Sequence, residues 1–127
     1  MAAFERAIWL DTEGSMSLAH RSWEISISQL DKQPLEDYCE GARKDGIPCQ
    51  ITTARNTERK CYRARIVGVE DVAKELTLVR PFLRTRKKVQ QIEWFKEYLF
   101  RPSNNTRIQT LRAREIVGSW SSDNLVM

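Results

Sequence analysis

Apolar residues recur along the chain at two spacings, and the alternation between them divides it into helices and hairpins. Residues 2–12 place Ala3, Ala7 and Asp11 four apart, with Phe4, Ile8 and Trp9 adding broad apolar cover, which is the spacing of a helix. Gly14 supplies a stop. Residues 15–19 and 23–29 flank a His20-Arg21-Ser22 turn. The second run alternates, with Ile25 and Ile27 on one face and Glu24, Ser26 and Ser28 on the other, which predicts a hairpin with one wet face. Pro34 suits the first turn of a short helix that carries Leu35, Tyr38, Cys39 and Ala42 and ends near Gly46. A second hairpin is predicted over 48–54 and 60–67, joined by the polar residues 55–59. Its second strand sets Tyr62, Ala64 and Ile66 on one face and Cys61, Arg63 and Arg65 on the other. Val72, Leu76 and Val79 mark a helix from Val69 to Arg80, ended by Pro81. Another spans about 85–100, with Val89, Ile92, Trp94, Phe95, Tyr98 and Leu99 as a wide stripe. Residues 104–117 make a last helix with Ile108, Leu111 and Ile116 inward. The predicted order is αββαββαα with a final α, an α+β fold.

The chain has 127 residues, enough for one domain with one core. Residues 1–118 are expected to form it and 119–127, rich in serine, to fray as a tail, with Trp120 and Leu125 leaving room for it to dock. A charged fraction of 30% beside 41% apolar residues is the balance of a folded chain. No apolar run approaches the roughly 20 residues that cross a bilayer, and Glu5 and Arg6 interrupt the first ten residues, so the protein is expected to stay where it is made. Cys39, Cys49 and Cys61 are odd in number and form no CxxC pair, which predicts buried, reduced thiols rather than a disulfide framework or a zinc site. His20 is the only histidine, so chemistry needing two imidazoles in one chain is excluded.

The formal charge of +4 conceals an asymmetry: residues 1–45 hold nine acids against five bases, and the remainder sixteen bases against eight acids. The excess concentrates in Arg80, Arg84, Arg86, Lys87 and Lys88, and again in Arg55, Arg59, Lys60, Arg63 and Arg65. Such clusters attract polyanions, phosphate backbones among them.

The candidate chemistry lies in Trp9-Leu10-Asp11-Thr12-Glu13-Gly14-Ser15, where an apolar helix ends in two carboxylates at a glycine turn into a strand. A carboxylate there is delivered to one defined point. Divalent Mg²⁺ takes one or two carboxylates and completes its shell with water and phosphate oxygens, so one acid suffices if a second copy and a nucleic acid supply the rest.

This segment resembles the second half of the LAGLIDADG motif of homing endonucleases, and residues 78–91, with Pro81 before the basic run, are similar to a later segment of that family. The resemblance covers roughly residues 3–100. It implies an αββαββα domain with a four-stranded antiparallel, saddle-like sheet backed by helices. A single motif implies the homodimeric branch, in which two motif helices (residues 3–13) pack together and bring two Glu13 carboxylates to the dyad. The implied activity is Mg²⁺-dependent hydrolysis of double-stranded DNA at a long, near-palindromic site, with Mn²⁺ as a substitute metal. An intron-encoded origin is implied too, with a prokaryotic cytoplasm or an organelle matrix or stroma as location. The alternative is a non-cleaving RNA-splicing maturase or DNA-binding regulator on the same scaffold.

Carried over residue by residue, the resemblance makes Glu13 a catalytic metal ligand with Thr12 beside it, Gln29 a polar group that orders solvent, and Arg86 a cation for developing phosphate charge, with Lys87 and Lys88 as rivals. It sets Ser17, Arg21, Glu24, Ser26, Ser28, Gln50, Thr52, Arg63 and Arg65 toward DNA, joined by Lys87 and Lys88. Arg63 and Arg65 suit guanine edges and Gln50 adenine; Arg55, Arg59 and Lys60 suit phosphate. Two positions depart from the motif: Arg6 stands where it has an apolar residue and Ile8 where it has a small one, leaving Ala3 and Ala7 to supply a small surface.

Overall fold

The computed structural model describes residues 1–19, 22–56, 59–101 and 107–120, without the side chains of residues 19, 54–56 and 59. The expected order is present: α1 (Ala3–Glu13), β1 (Gly14–Ala19), β2 (Ser22–Gln29), α2 (Gln33–Lys44), β3 (Gln50–Asn56), β4 (Arg59–Val67), α3 (Val69–Val79), a 3-10 turn (Arg80–Phe82), α4 (Arg86–Phe100) and α5 (Ile108–Gly118). The strands form one antiparallel sheet in the order β1-β2-β4-β3, so the two hairpins meet through their second strands. The chain is therefore α+β, with an αββαββα plan followed by two more helices.

Period-two alternation gives the sheet a dry and a wet face. Met16, Trp23, Ile25, Ile27, Ala64 and Ile66 are buried under the helices together with Leu35, Tyr38, Leu76 and Phe95. Trp23 meets Phe95 and Tyr98 edge-on at 5.3 and 5.9 Å between ring centroids, which ties α4 to the first hairpin. Among the described residues no helix is long and apolar enough to cross a membrane.

Gly14 does not end α1 through a left-handed turn, as its position suggested; its backbone is extended. Its requirement is space. A Cβ there would lie 2.6 Å from the Leu10 side chain and 2.8 Å from the Leu10 Cα, so only glycine lets the chain pass from helix to strand this tightly.

The departure at Arg6 is answered by three other segments. Arg6 is fully buried, with Nε and Nη2 donating to Glu75 of α3 at 2.9–3.2 Å, Nη2 also to Asp45 at 2.8 Å, and Nη1 to the Met1 carbonyl at 3.0 Å. The Tyr38 hydroxyl of α2 donates to the other side of Glu75 at 2.7 Å. A buried charge persists only when paired and hydrogen-bonded, and this network meets that condition while locking α1 against α2 and α3. Gly41 makes room for it, since a Cβ at that position would sit 2.0 Å from the Met1 carbonyl oxygen.

The cysteines are free thiols, as expected: Cys39 and Cys49 are buried with their sulfurs 2.7 Å apart, and Cys61 is half-buried.

Two helical stripes differ from the sequence expectation. On α5, Ile108 and Leu111 are 68% and 49% exposed, while Thr110, Ala113 and Val117 are buried. The helix turns its small residues toward α3, because small side chains permit the close approach that Ile and Leu would block. On α4 only Ile92, Phe95 and Leu99 of the wide stripe are buried; Val89 and Trp94 face outward. The start of the 119–127 segment is docked rather than frayed. Trp120 donates to the Thr77 hydroxyl at 2.8 Å, and the Arg80 guanidinium lies 4.6 Å over its ring.

Candidate nucleic-acid interface

Register defines the wet face of the sheet. One row runs across all four strands, Ser15-Ser26-Arg65-Gln50, a second joins Ser28, Arg63 and Thr52, and a third joins Ser17, Glu24 and Val67. Ser17, Glu24, Ser26, Ser28, Gln50, Thr52, Arg63 and Arg65 thus share one face. Arg21 and the side chains of Arg55 and Arg59 lie outside what is described; Lys60 is exposed at the far end of β4. Ser15, which the sequence reading omitted, belongs to the same face and shares a 3.2 Å hydrogen bond with Ser26. Strand parity places it there, since Ser15 and Ser17 lie two apart on β1.

The two arginines differ. Arg65 donates from Nε and Nη2 to one oxygen of Glu24 at 3.0 and 2.5 Å, and the Glu24 hydrogen bond, opposed by partial burial, raises its pKa further. Arg63 has one long contact, Nε to the Ser28 hydroxyl at 3.4 Å. The face therefore carries one anchored and one loosely held guanidinium among small hydroxyl and amide side chains, a donor and acceptor set able to address base edges.

At one end of this sheet α1 delivers its two acids, and they diverge. Residues two apart on a helix do not face each other. Asp11 points to the loop before α4: its Oδ2 accepts from the Arg84 backbone N–H at 2.7 Å, and its Oδ1 from the Thr85 N–H at 3.3 Å and the Thr85 hydroxyl at 2.9 Å. Thr85 in turn caps α4 by accepting from the Lys88 N–H at 3.3 Å. An acid at the end of α1 opposes that helix's dipole, and Asp11 offsets the cost by sitting at the positive N-terminus of α4. No local signal predicts this, because its partners are 73 and 74 residues away.

Glu13 has no hydrogen bond or ion pair among the described residues and is exposed. The contacts of Asp11 set the N-terminus of α4 against the same turn of α1, so Arg84, Arg86 and Lys87, all exposed, are carried to the end of the molecule that bears Glu13. Gln29 reaches that end from the sheet: Ile27 pairs with Gly14, and Gln29 extends two residues further, half-buried on the helix side. Lys88 differs from its neighbours. It is 2% exposed, and burial, then the charge of Lys87, pull its pKa below the usual lysine value against the opposing charge of Asp11.

The donor chemistry at Glu13 suits a hard cation, a free carboxylate oxygen with the Thr12 backbone alongside, since the Thr12 hydroxyl is turned back to the Ile8 carbonyl at 2.9 Å. Among the described residues no three His, Cys, Asp or Glu side chains gather into a metal cluster. One chain thus offers one carboxylate, and further ligands would come from outside it.

The exposed side of α1 carries an apolar strip beside Glu5, Thr12 and Glu13. Phe4 and Ile8 are 52% and 56% exposed, and Phe4 meets Phe82 edge-on at 6.4 Å, which extends the strip onto the 3-10 turn. Ala7, expected to offer a small contact surface, is instead fully buried in the core.

No family model and no curated protein matches the sequence. A solved structure that is similar to this chain is that of the homing endonuclease I-CvuI in complex with the I-CreI target in the presence of Mg²⁺, with the DNA not cleaved. The similarity covers 91% of this chain and 92% of that one, at a TM-score of 0.49 and 12% identity.

Proposed function

We propose that the protein is a site-specific endonuclease that cuts double-stranded DNA by Mg²⁺-dependent hydrolysis as a homodimer. The observation that carries this is Glu13: an exposed carboxylate, unpaired among the described residues, at the end of α1, whose last turn Asp11 ties to the cationic loop before α4. A free acid next to cations suits metal-assisted phosphodiester chemistry, and the motif from Trp9 to Ser15 agrees with it.

In this reading the apolar strip of Phe4, Ile8 and Phe82 is the dimer contact. A two-fold axis through it turns one carboxylate into a symmetric pair, which cutting two opposed strands requires. Glu13 of each copy, with Thr12 beside it, would hold the metal, which supplies an activated water and neutralises charge on the phosphate. Arg86 and Lys87 attract the strand at the scissile position and stabilise negative charge that develops there. Gln29 orders solvent from the sheet side. The wet face lies in the major groove, where Arg63, Arg65, Gln50, Thr52 and the serines of β1 and β2 address bases. Lys88 contributes through the helix terminus it occupies rather than by touching phosphate, since its side chain is covered.

The test is Glu13→Gln, which keeps size and polarity and removes the charge. Cleavage of a plasmid library in Mg²⁺ is expected to fall below detection while thermal stability and duplex affinity stay within about twofold. A variant that cuts as well as the parent would overturn the metal-ligand role of Glu13. A parent that binds duplex DNA and does not cut would favour a regulator or maturase, with Ile8 holding the two α1 helices too far apart for the carboxylates to meet.

A further inference from the structure

The wet face treats its two arginines unequally, and the inequality bears on which base each can read. This inference rests on the proposal that the face lies against DNA. A guanidinium has five N–H donors arranged on two usable edges: a side edge of Nε–H with one Nη2–H, and an end edge of one Nη1–H with the other Nη2–H. In Arg65 the side edge is taken, both groups donating to the same oxygen of Glu24. Glu24 is the diagonal neighbour on the adjacent strand: it pairs with Val67 while Arg65 pairs with Ser26. Its carboxylate is nearly covered, with 11% of the side chain exposed, and Arg65 retains 35%. A carboxylate on the side edge fixes the plane of the guanidinium and leaves the end edge unspent.

We infer that Glu24 is a positioning residue that presents the end edge of Arg65 to a guanine, making Arg65 the sharpest base reader of the face. The end edge offers two parallel N–H donors, the pattern that matches O6 and N7 of guanine in the major groove. Ser26 and Gln50 flank Arg65 in its row, so the neighbouring base edges meet a hydroxyl and an amide. Among the described residues Arg63 has no carboxylate partner. Its long contact to Ser28 leaves the fork loosely held, which suits phosphate or a choice of bases. Charge separates the two roles as well. The Arg65–Glu24 pair is neutral as a unit and adds little to non-specific attraction, whereas Arg63 adds one full positive charge.

The experiment has two stages. Wild-type protein selects duplexes from a randomised pool in EDTA, and affinities are then measured for the selected site and for single-base variants across a salt series. One guanine per half-site is expected to matter by about 5- to 150-fold. Arg65→Ala should bind that guanine and its replacements alike, and more weakly overall, since it leaves the Glu24 carboxylate uncompensated on the face. Arg65→Lys should also lose the preference, since it keeps the charge without the fork. Glu24→Gln, checked as folded by its melting temperature, should lose at least about threefold in discrimination at the same guanine. Arg63→Ala should instead lower the salt slope by about one and leave that guanine's preference intact.

Full discrimination by Glu24→Gln overturns the positioning role, and a guanine preference that survives Arg65→Ala overturns the assignment of the reader. Either result leaves duplex binding itself standing. Failure of the wild-type protein to bind any duplex at low salt overturns the groove reading and this inference with it.

Discussion

Two arginine–glutamate pairs sit on opposite sides of the sheet and do opposite work. Arg6 and Glu75 are both fully buried, and among the described residues Asp45, Tyr38 and the Met1 carbonyl bond to them as well. Arg65 and Glu24, on the wet face, use one edge of the guanidinium and leave the other open. The chemistry is the same, and burial decides its use. A satisfied, buried pair fixes how elements pack; a pair whose acid is nearly covered and whose arginine still reaches solvent holds a donor in position for something outside the chain.

The strongest way to break this comparison is to remove one partner from each pair. Glu75→Ala leaves the buried guanidinium with only Asp45 and the Met1 carbonyl and the Tyr38 hydroxyl without its acceptor, and should cost about 3 kcal/mol in urea unfolding. A loss below about 1 kcal/mol would show that Arg6 finds water or another partner. Arg6→Leu combined with Glu75→Leu should recover only part of the loss, because the buried Tyr38 hydroxyl and the Met1 carbonyl then lose their partners.

Asp11 sharpens the comparison, being half-buried and bound to backbone rather than to a cation. Asp11→Ala removes an acceptor for two backbone N–H groups and the Thr85 hydroxyl at the start of α4, and should cost about 1–2 kcal/mol by the same measurement. It should also slow cleavage, since Arg86 loses its anchor. Unchanged stability with lost cleavage would instead point to Asp11 as a metal ligand.

Lys88 supplies the buried cation that lacks a full partner. Burial lowers the pKa of Arg6 as well, but the hydrogen bond and charge of Glu75, with Asp45, reverse the sign; for Lys88 the charge of Asp11 does not. A base whose folded pKa is depressed is most destabilising below that folded value, and the cost is relieved as pH rises toward 10.5, the ordinary value. Wild type should therefore gain stability relative to Lys88→Met as pH rises through the alkaline window below 10.5. The difference between the two proteins matters here, because Tyr38, raised chiefly by burial and then by Glu75, makes both lose stability above its ordinary 10.0. A difference that is flat with pH would contradict the buried, depressed ammonium.

The smallest effect is expected at Glu24. Glu24→Ala opens a pair whose acid is nearly covered but whose arginine still reaches solvent, and should cost about 1 kcal/mol, read from the melting temperature. A cost as large as that of Glu75→Ala would mean that Arg65 organises the sheet rather than a ligand.

How much of this was legible in the sequence follows from the range of the interactions involved. Both hairpins, their dry and wet faces and the placing of Glu13 at a helix end could be read, because strand parity and helix periodicity are local. The buried role of Arg6 could not: the sequence marked it only as a polar intruder, and its partner lies 69 residues away. The same holds for Asp11 and the loop before α4. On α5 the error had a different source. Bulk was read as inwardness, whereas the contact with α3 selected Thr110, Ala113 and Val117 for their size. The pairing of Arg65 with Glu24 needed the register of β2 against β4, which alternation alone does not fix.

The central claim, that Glu13 and a second copy make this chain a DNA-cutting enzyme, is tested most directly by incubating purified protein with a randomised duplex library in Mg²⁺ and in EDTA and sequencing both cut ends. The account predicts staggered cuts in Mg²⁺ alone, centred on a near-palindromic sequence, and none from Glu13→Gln. Cuts that persist in EDTA, cuts without two-fold symmetry, or intact DNA under both conditions would contradict it.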